Sequence, residues 1–167
     1  AQAGNRANYS DGAYTIQSRD RIFVDLPIRS PVNDSGTVSV TLDGDLTGVF
    51  AGLCLSGPGG DYEFVVSGDG GGSIRHLAPG ATESTVVERV AGVFTTGAPV
   101  RISAGWNTDG NSSNIDLFVD GDRVVSASDD AVTSYTSLSL CGSVNPSAAS
   151  GTTLEITYDD IAFVGDP

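Results

Sequence analysis

The sequence predicts an all-β fold, a two-sheet antiparallel jelly-roll sandwich. Short runs rich in Val, Ile, Phe and Tyr recur at intervals of roughly 8 to 12 residues, the spacing of strands in sandwiches and jelly rolls. Turns containing Gly, Asp and Pro separate these runs, and almost no segment has a helical pattern. These features indicate a single domain over residues 1–167, with its core in about 9–165.

The predicted strands are short runs of β-branched and aromatic residues. They cover residues 13–17, 21–26, 37–42, 50–56, 61–67, 73–77, 84–91, 100–106, 114–120, 123–127, 137–143 and 154–164. Turns such as Ser10-Asp-Gly12 and Gly68-Asp-Gly-Gly-Gly72 separate the earlier strands. The tightest connection is Asp120-Gly121, around which residues 115–125 alternate between apolar and polar. Asp-Gly accepts the positive φ angles that a two-residue hairpin needs, so this pair predicts a hairpin.

The charge of the chain is strongly one-sided. The sequence has seventeen Asp, four Glu, eight Arg and no Lys, and its net charge is -13. A polyanion without a basic cluster repels phosphate backbones and anionic lipid surfaces, which excludes nucleic acid as a partner and leaves neutral or cationic ligands. No apolar run approaches the ~20 residues of a membrane span, so we expect no membrane insertion by this segment.

The two cysteines, Cys54 and Cys141, lie in predicted strands beside leucines. Two thiols and one histidine are a poor ligand set for a structural metal site. A disulfide between them would close a long loop and indicate an oxidising compartment. The alternative is two buried free thiols, because free cysteine often packs as a small apolar residue.

The order of the elements resembles a known group of sandwich proteins. The segments that carry the resemblance are Asp11-Gly-Ala-Tyr-Thr-Ile16, Gly52-Leu-Cys-Leu55, Tyr62-Glu-Phe-Val-Val66, Ser73-Ile-Arg75, Pro99-Val-Arg-Ile-Ser103, Ile115-Asp-Leu-Phe-Val-Asp-Gly121 and Tyr158-Asp-Asp-Ile-Ala-Phe163. Their succession resembles the concanavalin A-like lectin/glucanase jelly rolls, within the laminin-G-like group that includes 3-keto-disaccharide hydrolase-like domains and extracellular domains of actinobacterial membrane proteins. The resemblance implies two curved sheets, often with a sugar-binding concave face, and a secreted or cell-surface location.

A sugar-binding site needs an aromatic face for stacking and planar polar groups for the hydroxyls. Trp106, the only tryptophan, precedes the polar loop 107–114 and is the first candidate. The other candidate ligand-binding residues are Tyr62, Arg75, His76, Asn107, Asp109 and Asn111. Structural alternatives exist for the rings: Trp106 alternates with apolar residues from Val100 onward and would then be core. Tyr62 would pack on its sheet, and His76 would be a solvated strand residue.

Catalysis is not expected from the acidic residues. Glycoside hydrolysis needs two carboxylates about 5 to 9.5 Å apart on one face. The Glu-x-Asp-x-x-Glu alternation that would place them along a strand is absent. Asp116, Asp120 and Asp122 alternate, but they fall across the Asp-Gly hairpin, where acids serve the turn. A Gly-x-Ser-x-Gly elbow is absent as well, and a triad could use only His76.

A bound Ca²⁺ is the one cofactor that the resemblance implies. Jelly rolls of this class often hold the ion with an aspartate of a late strand and with oxygens of an early loop. Asp160 and Asp11 match these two positions. Calcium takes roughly six to eight oxygen ligands, and no loop fits the EF-hand pattern. The alternative is that both residues are ordinary solvating acids of the surface.

These observations favour an extracellular, non-catalytic module that binds a carbohydrate or a cell-wall glycan. The alternative from another class is a protein-binding, adhesin or spacer module of a cell-surface protein, which the same Gly-, Asp- and Ser-rich loops would suit. An exposed aromatic cluster would favour the sugar, whereas a broad apolar patch or an unpaired sheet edge would favour a protein. A glycoside hydrolase is the least favoured function.

Overall fold

The structure is a computed structural model, and it describes residues 6–28 and 30–164. These residues form thirteen β-strands. The strands are β1 (Arg6–Ser10), β2 (Ala13–Ser18), β3 (Ile22–Asp25), β4 (Ser35–Asp45), β5 (Val49–Gly57), β6 (Gly60–Ser67), β7 (Gly72–Leu77), β8 (Thr85–Val90), β9 (Val100–Thr108), β10 (Ser113–Val119), β11 (Asp122–Asp129), β12 (Ser137–Val144) and β13 (Leu154–Val164). The described part of the chain contains no helix that is long and apolar enough to cross a membrane. The all-β prediction is confirmed.

Every predicted strand corresponds to an observed one, and β1 is the strand that was not predicted. Its sequence, Arg-Ala-Asn-Tyr-Ser, is mostly polar and has no β-branched residue, so no strand pattern marks it. It forms because it pairs with β2 through a turn at Asp11 and Gly12, whose φ angles are 53° and 84°. The Asp120-Gly121 hairpin has the positive φ angles that its sequence predicts, 49° and 89°.

The strands form two antiparallel sheets. The seven-stranded sheet has the order β1-β2-β13-β4-β9-β10-β11, and the six-stranded sheet has the order β3-β12-β5-β6-β7-β8. In each sheet a strand from the C-terminal part of the chain lies between two from the N-terminal part: β13 between β2 and β4, and β12 between β3 and β5. Neither sheet can therefore form from one half of the chain alone.

The apolar core lies between the two sheets. On β5, Ala51, Leu53 and Leu55 belong to the core cluster, and β6 contributes Tyr62 and Phe64 at alternating positions. This period of two is the one expected for strands with one face turned inward. The residues between them on β5 and β6 consequently face away from the other sheet.

The fully buried Tyr158 of β13 ties the two sheets together. Its hydroxyl donates to the carbonyl oxygen of Cys141 on β12 at 2.7 Å. Burial raises the pKa of the Tyr158 phenol, so the group stays protonated and remains a donor. The bond satisfies a polar group that would otherwise be costly inside the core.

The outward faces of the two sheets differ in burial. On the seven-stranded sheet, outward residues of the central strands, such as Ser39, Ser103 and Asp116, are half-buried. On the six-stranded sheet, six outward residues are at most 7% exposed although they face away from the core. They are Cys54, Glu63, Val65, Ser73, Ser139 and Cys141. The outward face of the six-stranded sheet is thus covered by further side chains and recessed.

A disulfide joins Cys54 of β5 to Cys141 of β12 on this recessed face, with the two Cα atoms 5.9 Å apart. The pair packs with Val65 and Phe50 in a small apolar cluster separate from the main core. The structure therefore gives the disulfide rather than two buried free thiols.

Candidate functional site

A groove crosses the outward face of the six-stranded sheet. It consists of two adjoining cavities, of about 560 and 220 Å³, which share Phe50 of β5 and Arg75 of β7. Ser73, Arg89 and Asn145 also line the larger cavity. The size is in the range of small-ligand sites, which span roughly 300 to 1,000 Å³. We refer to the two cavities together as the Arg75 groove.

Arg75 stands in the middle of the groove and is held from two sides. Its guanidinium lies over the Phe50 ring, with Cζ 4.7 Å from the ring centroid. Nε donates to Oγ of Ser84 at 2.9 Å, and Nη2 donates to the Ser84 carbonyl at 3.2 Å. Burial, followed by the positive charge of Arg89, lowers the pKa of Arg75. Nη1 donates to no described residue, so a fixed guanidinium keeps unused donor capacity in the groove.

Arg89 of β8 lies opposite Ser73 in the β7–β8 ladder and lines the larger cavity. Its exposed side chain makes no hydrogen bond or ion pair to any residue that the structure describes. Among the described residues, Asp69 is the one acid that lines that cavity. Its carboxylate accepts from Oγ of Ser67 at 2.6 Å and from the backbone N–H of Gly71 at 2.9 Å, and these two bonds lower the pKa of Asp69, to which the charge of Arg89 also contributes. Asp69 is thereby fixed in the turn between β6 and β7.

A second charged group lies toward the smaller cavity. Arg21 forms an ion pair with Glu63 of β6, a residue that is 4% exposed. Burial lowers the pKa of Arg21, the charge of Arg75 lowers it further, and the charge of Asp61 opposes both. Asp61 and Glu63 alternate along β6 and share its outward face. The sequence analysis did not single out this acid pair, and in the structure Arg21 pairs with Glu63 and interacts with the charge of Asp61.

Trp106 belongs to the core and not to a ligand site. It is 4% exposed, and its indole Nε1 donates to the carbonyl of Asn33 at 2.9 Å. The ring packs on Gly36 of β4, where a Cβ would lie 2.5 Å from Cζ2 of the indole. The stacking hypothesis for Trp106 is wrong because its alternation with Val100 turns the ring inward, where a sugar has no access to its face.

Tyr62 and His76 share the inward side of the six-stranded sheet, with ring centroids 5.9 Å apart. The Tyr62 hydroxyl donates to the carboxylate of Asp129 and accepts the backbone N–H of Val132 at 3.1 Å. Burial, reinforced by the bond to Asp129, raises the pKa of Tyr62. Nε2 of His76 lies 2.9 Å from the carbonyl of Gly59. Tyr62 as a ligand-binding residue is wrong, because the ring is fully buried and its hydroxyl is occupied.

Asn107 near the end of β9 is exposed, as are Asp109 and Asn111 of the turn between β9 and β10. Oδ1 of Asp109 accepts the backbone N–H groups of Ser112 at 2.9 Å and Asn111 at 2.8 Å, and these bonds lower the pKa of Asp109. The turn belongs to the seven-stranded sheet. The structure therefore does not bring these three residues to the groove, and Arg75 is the one predicted ligand-binding residue that lines it.

Asp11 and Asp160 line a second surface cleft, of about 460 Å³, beside the β1–β2 edge of the seven-stranded sheet. We call it the Tyr9 cleft, because Tyr9 is 65% exposed there and its ring centroid lies 4.8 Å from that of Tyr14. Phe163 lines it as well and is 39% exposed. Residues 6–28 and 30–164 contain no group of three or more His, Cys, Asp or Glu side chains that could hold a metal ion. A calcium ion at Asp11 and Asp160 would need backbone oxygens besides these two carboxylates, and we assign none.

Sequence reasoning missed Phe50, Arg21 and Arg89 as groove residues. A signal for Phe50 was present, because Phe50 and Cys54 alternate with the apolar Ala51 and Leu53 and must share the opposite face. Sorting each strand into its two faces would have grouped Phe50 with the outward residues of β6 and β7. The place of Arg21 depends on the path of the chain into β3, which no local pattern indicates.

Comparison with solved structures identifies the fold. The carbohydrate-binding module CBM66 from Bacillus subtilis superposes with a TM-score of 0.72 at 11% identity, over 96% of this chain and 92% of the module. A prokaryotic beta-1,3-1,4-glucanase (lichenase) from a mouse hindgut metagenome gives 0.61 at 16% identity, over 94% of this chain and 82% of the enzyme. The chain has the concanavalin A-like jelly-roll fold.

The same jelly roll occurs as part of a larger protein. A xylan beta-1,4-xylosidase from Bacillus halodurans matches 92% of this chain with 33% of its own, at a TM-score of 0.60 and 12% identity. No protein-family model and no curated protein sequence matches the chain. Identities this low establish the fold and not the activity, so the resemblance predicted from the sequence is confirmed at the level of the jelly roll.

Proposed function

We propose that this chain is a non-catalytic carbohydrate-binding module of a secreted or cell-surface protein, and that its ligand lies in the Arg75 groove. One observation carries the proposal: a half-buried guanidinium, fixed over Phe50 and by Ser84, lies in the middle of a recessed sheet face with donor capacity left over.

A guanidinium of this kind suits a sugar. It is planar and presents several N–H donors in a fixed fork, which matches the oxygens of neighbouring hydroxyls. Because Phe50 and Ser84 hold the Arg75 side chain before the ligand arrives, little rotamer entropy remains to be lost on binding. The groove adds the hydroxyl of Ser73 and the amide of Asn145 as further polar partners.

The structural neighbours support a carbohydrate as the ligand class. One is named as a carbohydrate-binding module and others as a glucanase and a xylosidase. Those names belong to proteins with 11 to 16% identity to this chain, so they raise the expectation of a sugar without identifying one.

The acid of the larger cavity and the acids around Arg21 favour binding over hydrolysis. A hydrolase would need one carboxyl group free to donate a proton and a second free to attack or to activate water. Glu63 is in an ion pair with Arg21, and the charge of Asp61 acts on the same guanidinium. Asp69 is held by its turn.

An extracellular location is supported by the Cys54–Cys141 disulfide. Disulfides persist in oxidising compartments and are rare in the reducing cytosol. The acidic, lysine-free surface is compatible with a secreted protein, although charge alone names no compartment.

The test is a glycan array and a polysaccharide binding screen with four proteins: wild type, Arg75→Gln, Arg123→Gln and Tyr9→Ala. Arg123 is an exposed arginine of β11 on the other sheet and is the matched control for charge. We expect at least one glycan to bind wild type and Arg123→Gln equally and to bind Arg75→Gln about 10- to 100-fold more weakly, the worth of charge-assisted hydrogen bonds. Thermal unfolding of each variant checks that it is folded.

Three outcomes contradict the proposal. Binding that is lost in Tyr9→Ala but kept in Arg75→Gln moves the ligand to the Tyr9 cleft. If none of the glycans binds, the protein-binding or spacer alternative is favoured. Release of reducing ends from a bound polysaccharide, abolished by Glu63→Gln, would make the chain an enzyme.

A further inference from the structure

We infer that the Arg75 groove selects a glycan carrying a negative group, a carboxylate or a sulfate, seated between Arg75 and Arg89. The inference rests on the proposed function and adds the charge class of the ligand.

Arginine is scarce in this chain, yet it is concentrated at the groove. The eight arginines and no lysine face twenty-one acidic residues. Four of the arginines that the structure describes line the two cavities: Arg19, Arg21, Arg75 and Arg89. Like charges brought together repel each other, most strongly where burial has removed water. Placing several arginines close together on one recessed face costs electrostatic free energy, and an anionic ligand would offset that cost.

The arginines of the groove act on one another. The charge of Arg89 lowers the pKa of Arg75, and the charge of Arg75 lowers the pKa of Arg21, with burial as the larger cause in both. An anion placed between Arg75 and Arg89 would relieve this repulsion and replace part of the lost hydration. Carboxylate and sulfate oxygens are also the acceptors that a guanidinium binds in bidentate geometry.

The acids near the groove offset these two charges only in part. Glu63 and Asp61 act on Arg21. Asp20 and Glu83 line the smaller cavity. Among the described residues, the larger cavity sets Arg75 and Arg89 against one acid, Asp69, which is bound within its own turn and also interacts with the charge of Arg89. The larger cavity therefore has a net positive lining inside a protein of net charge -13.

The net charge of the protein disfavours a long anionic ligand but does not exclude a short one. Screening confines the field of the surface acids to about 8 Å at physiological ionic strength. A long polyanion would cross that acidic surface on its way along the sheet, whereas a short sugar with one or a few charges stays within the groove. The expectation that only neutral or cationic ligands remain, drawn from net charge, does not apply to a local cluster of this kind.

The experiment uses two matched pairs of short sugars, measured by calorimetry at 0.15 M salt. Trigalacturonate is paired with its methyl ester for the carboxylate, and lactose sulfated on the galactose is paired with lactose for the sulfate. The proteins are wild type, Arg75→Gln, Arg89→Gln and Arg123→Gln. Arg89 is the decisive position, because its exposed side chain makes no hydrogen bond to a described residue and its charge acts on Arg75 and Asp69, so its loss should leave the fold intact.

We expect one charged sugar to bind wild type and Arg123→Gln at least 10-fold more tightly than its neutral partner, and the preference to fall about 10-fold or more in Arg89→Gln and in Arg75→Gln. The pair that shows the preference tells carboxylate from sulfate. Equal or tighter binding of both neutral sugars overturns the inference, as does a preference that survives in Arg89→Gln. If neither pair binds, the inference fails. The proposed function would still hold if a neutral glycan on the array bound in an Arg75-dependent way. If no glycan on the array bound, both the inference and the proposed function would fail.

Discussion

Removing the Cys54–Cys141 disulfide should lower the free energy of unfolding by about 4 to 5 kcal/mol. The bond joins residues 87 apart in sequence, about half of the chain. In the chain-entropy model, a cross-link over a loop of this length removes unfolded-state entropy worth about 4.6 kcal/mol at 25 °C. That is a large share of the roughly 5 to 15 kcal/mol by which natural domains are stable.

Two forms of the protein separate the cross-link from the packing of the sulfurs. Reduction of the wild-type protein opens the loop and leaves both sulfur atoms in place. The double variant Cys54→Ala/Cys141→Ala also removes the sulfurs from contact with Val65 and Phe50, so it should be less stable than the reduced protein.

Urea unfolding of the oxidised, reduced and double-variant proteins gives the three free energies by linear extrapolation. The difference between the oxidised and reduced forms is the quantity to compare with the chain-entropy value. A difference below about 1 kcal/mol would refute the entropic reasoning. Two reactive thiols in protein unfolded without reductant would refute the disulfide itself.

Three further changes test the account of the core. Trp106→Phe should cost about 1 to 3 kcal/mol, because it removes the hydrogen bond that the indole donates to the carbonyl of half-buried Asn33, and should leave glycan binding unchanged; weakened binding with intact stability would return Trp106 to the ligand site. Tyr158→Phe should cost about 1 to 3 kcal/mol for the same reason at the Cys141 carbonyl, and equal urea midpoints would contradict this. The pKa values of Tyr62 and Tyr158 are raised in the folded state, so their contribution to stability should be fully present below pH 10, the ordinary tyrosine value. Above pH 10 the unfolded chain ionises first, and the free energy of unfolding should fall. A free energy of unfolding that holds or rises from pH 10 to 12 would contradict the burial of these phenols.

The architecture could be predicted because its determinants are local. Alternation along each strand separates inward from outward residues, and Asp-Gly fixes the β10–β11 turn without help from the rest of the chain. The one strand that sequence reasoning missed, Arg6–Ser10, has no apolar alternation and depends on its partner β2.

The groove could be predicted only in part because it is assembled from distant segments. Phe50, Arg75 and Arg89 come from three strands, and Arg21 comes from the connection between β2 and β3. Their meeting depends on the strand order of the six-stranded sheet, which no single strand pattern contains. Net charge does not describe the groove, because it averages the positive lining of the larger cavity with an acidic remainder.

For Trp106, unlike the groove residues, a local sequence pattern indicated the correct position. Its alternation with Val100 indicated a core position from the sequence alone, whereas the polar loop after it suggested a ligand site. In the structure Trp106 is a core residue, because burying the large apolar surface of the ring lowers the free energy more than leaving it in water would.

The most direct test of a sugar in the Arg75 groove is an amide nitrogen–proton spectrum of the labelled protein, titrated with the tightest-binding oligosaccharide of the array. We expect the amide signals of Phe50, Ser73, Arg75 and Arg89 to shift together and to saturate with one dissociation constant. Shifts confined to Tyr9 and Tyr14, or a complete absence of saturable shifts, would contradict the assignment of the groove as the binding site.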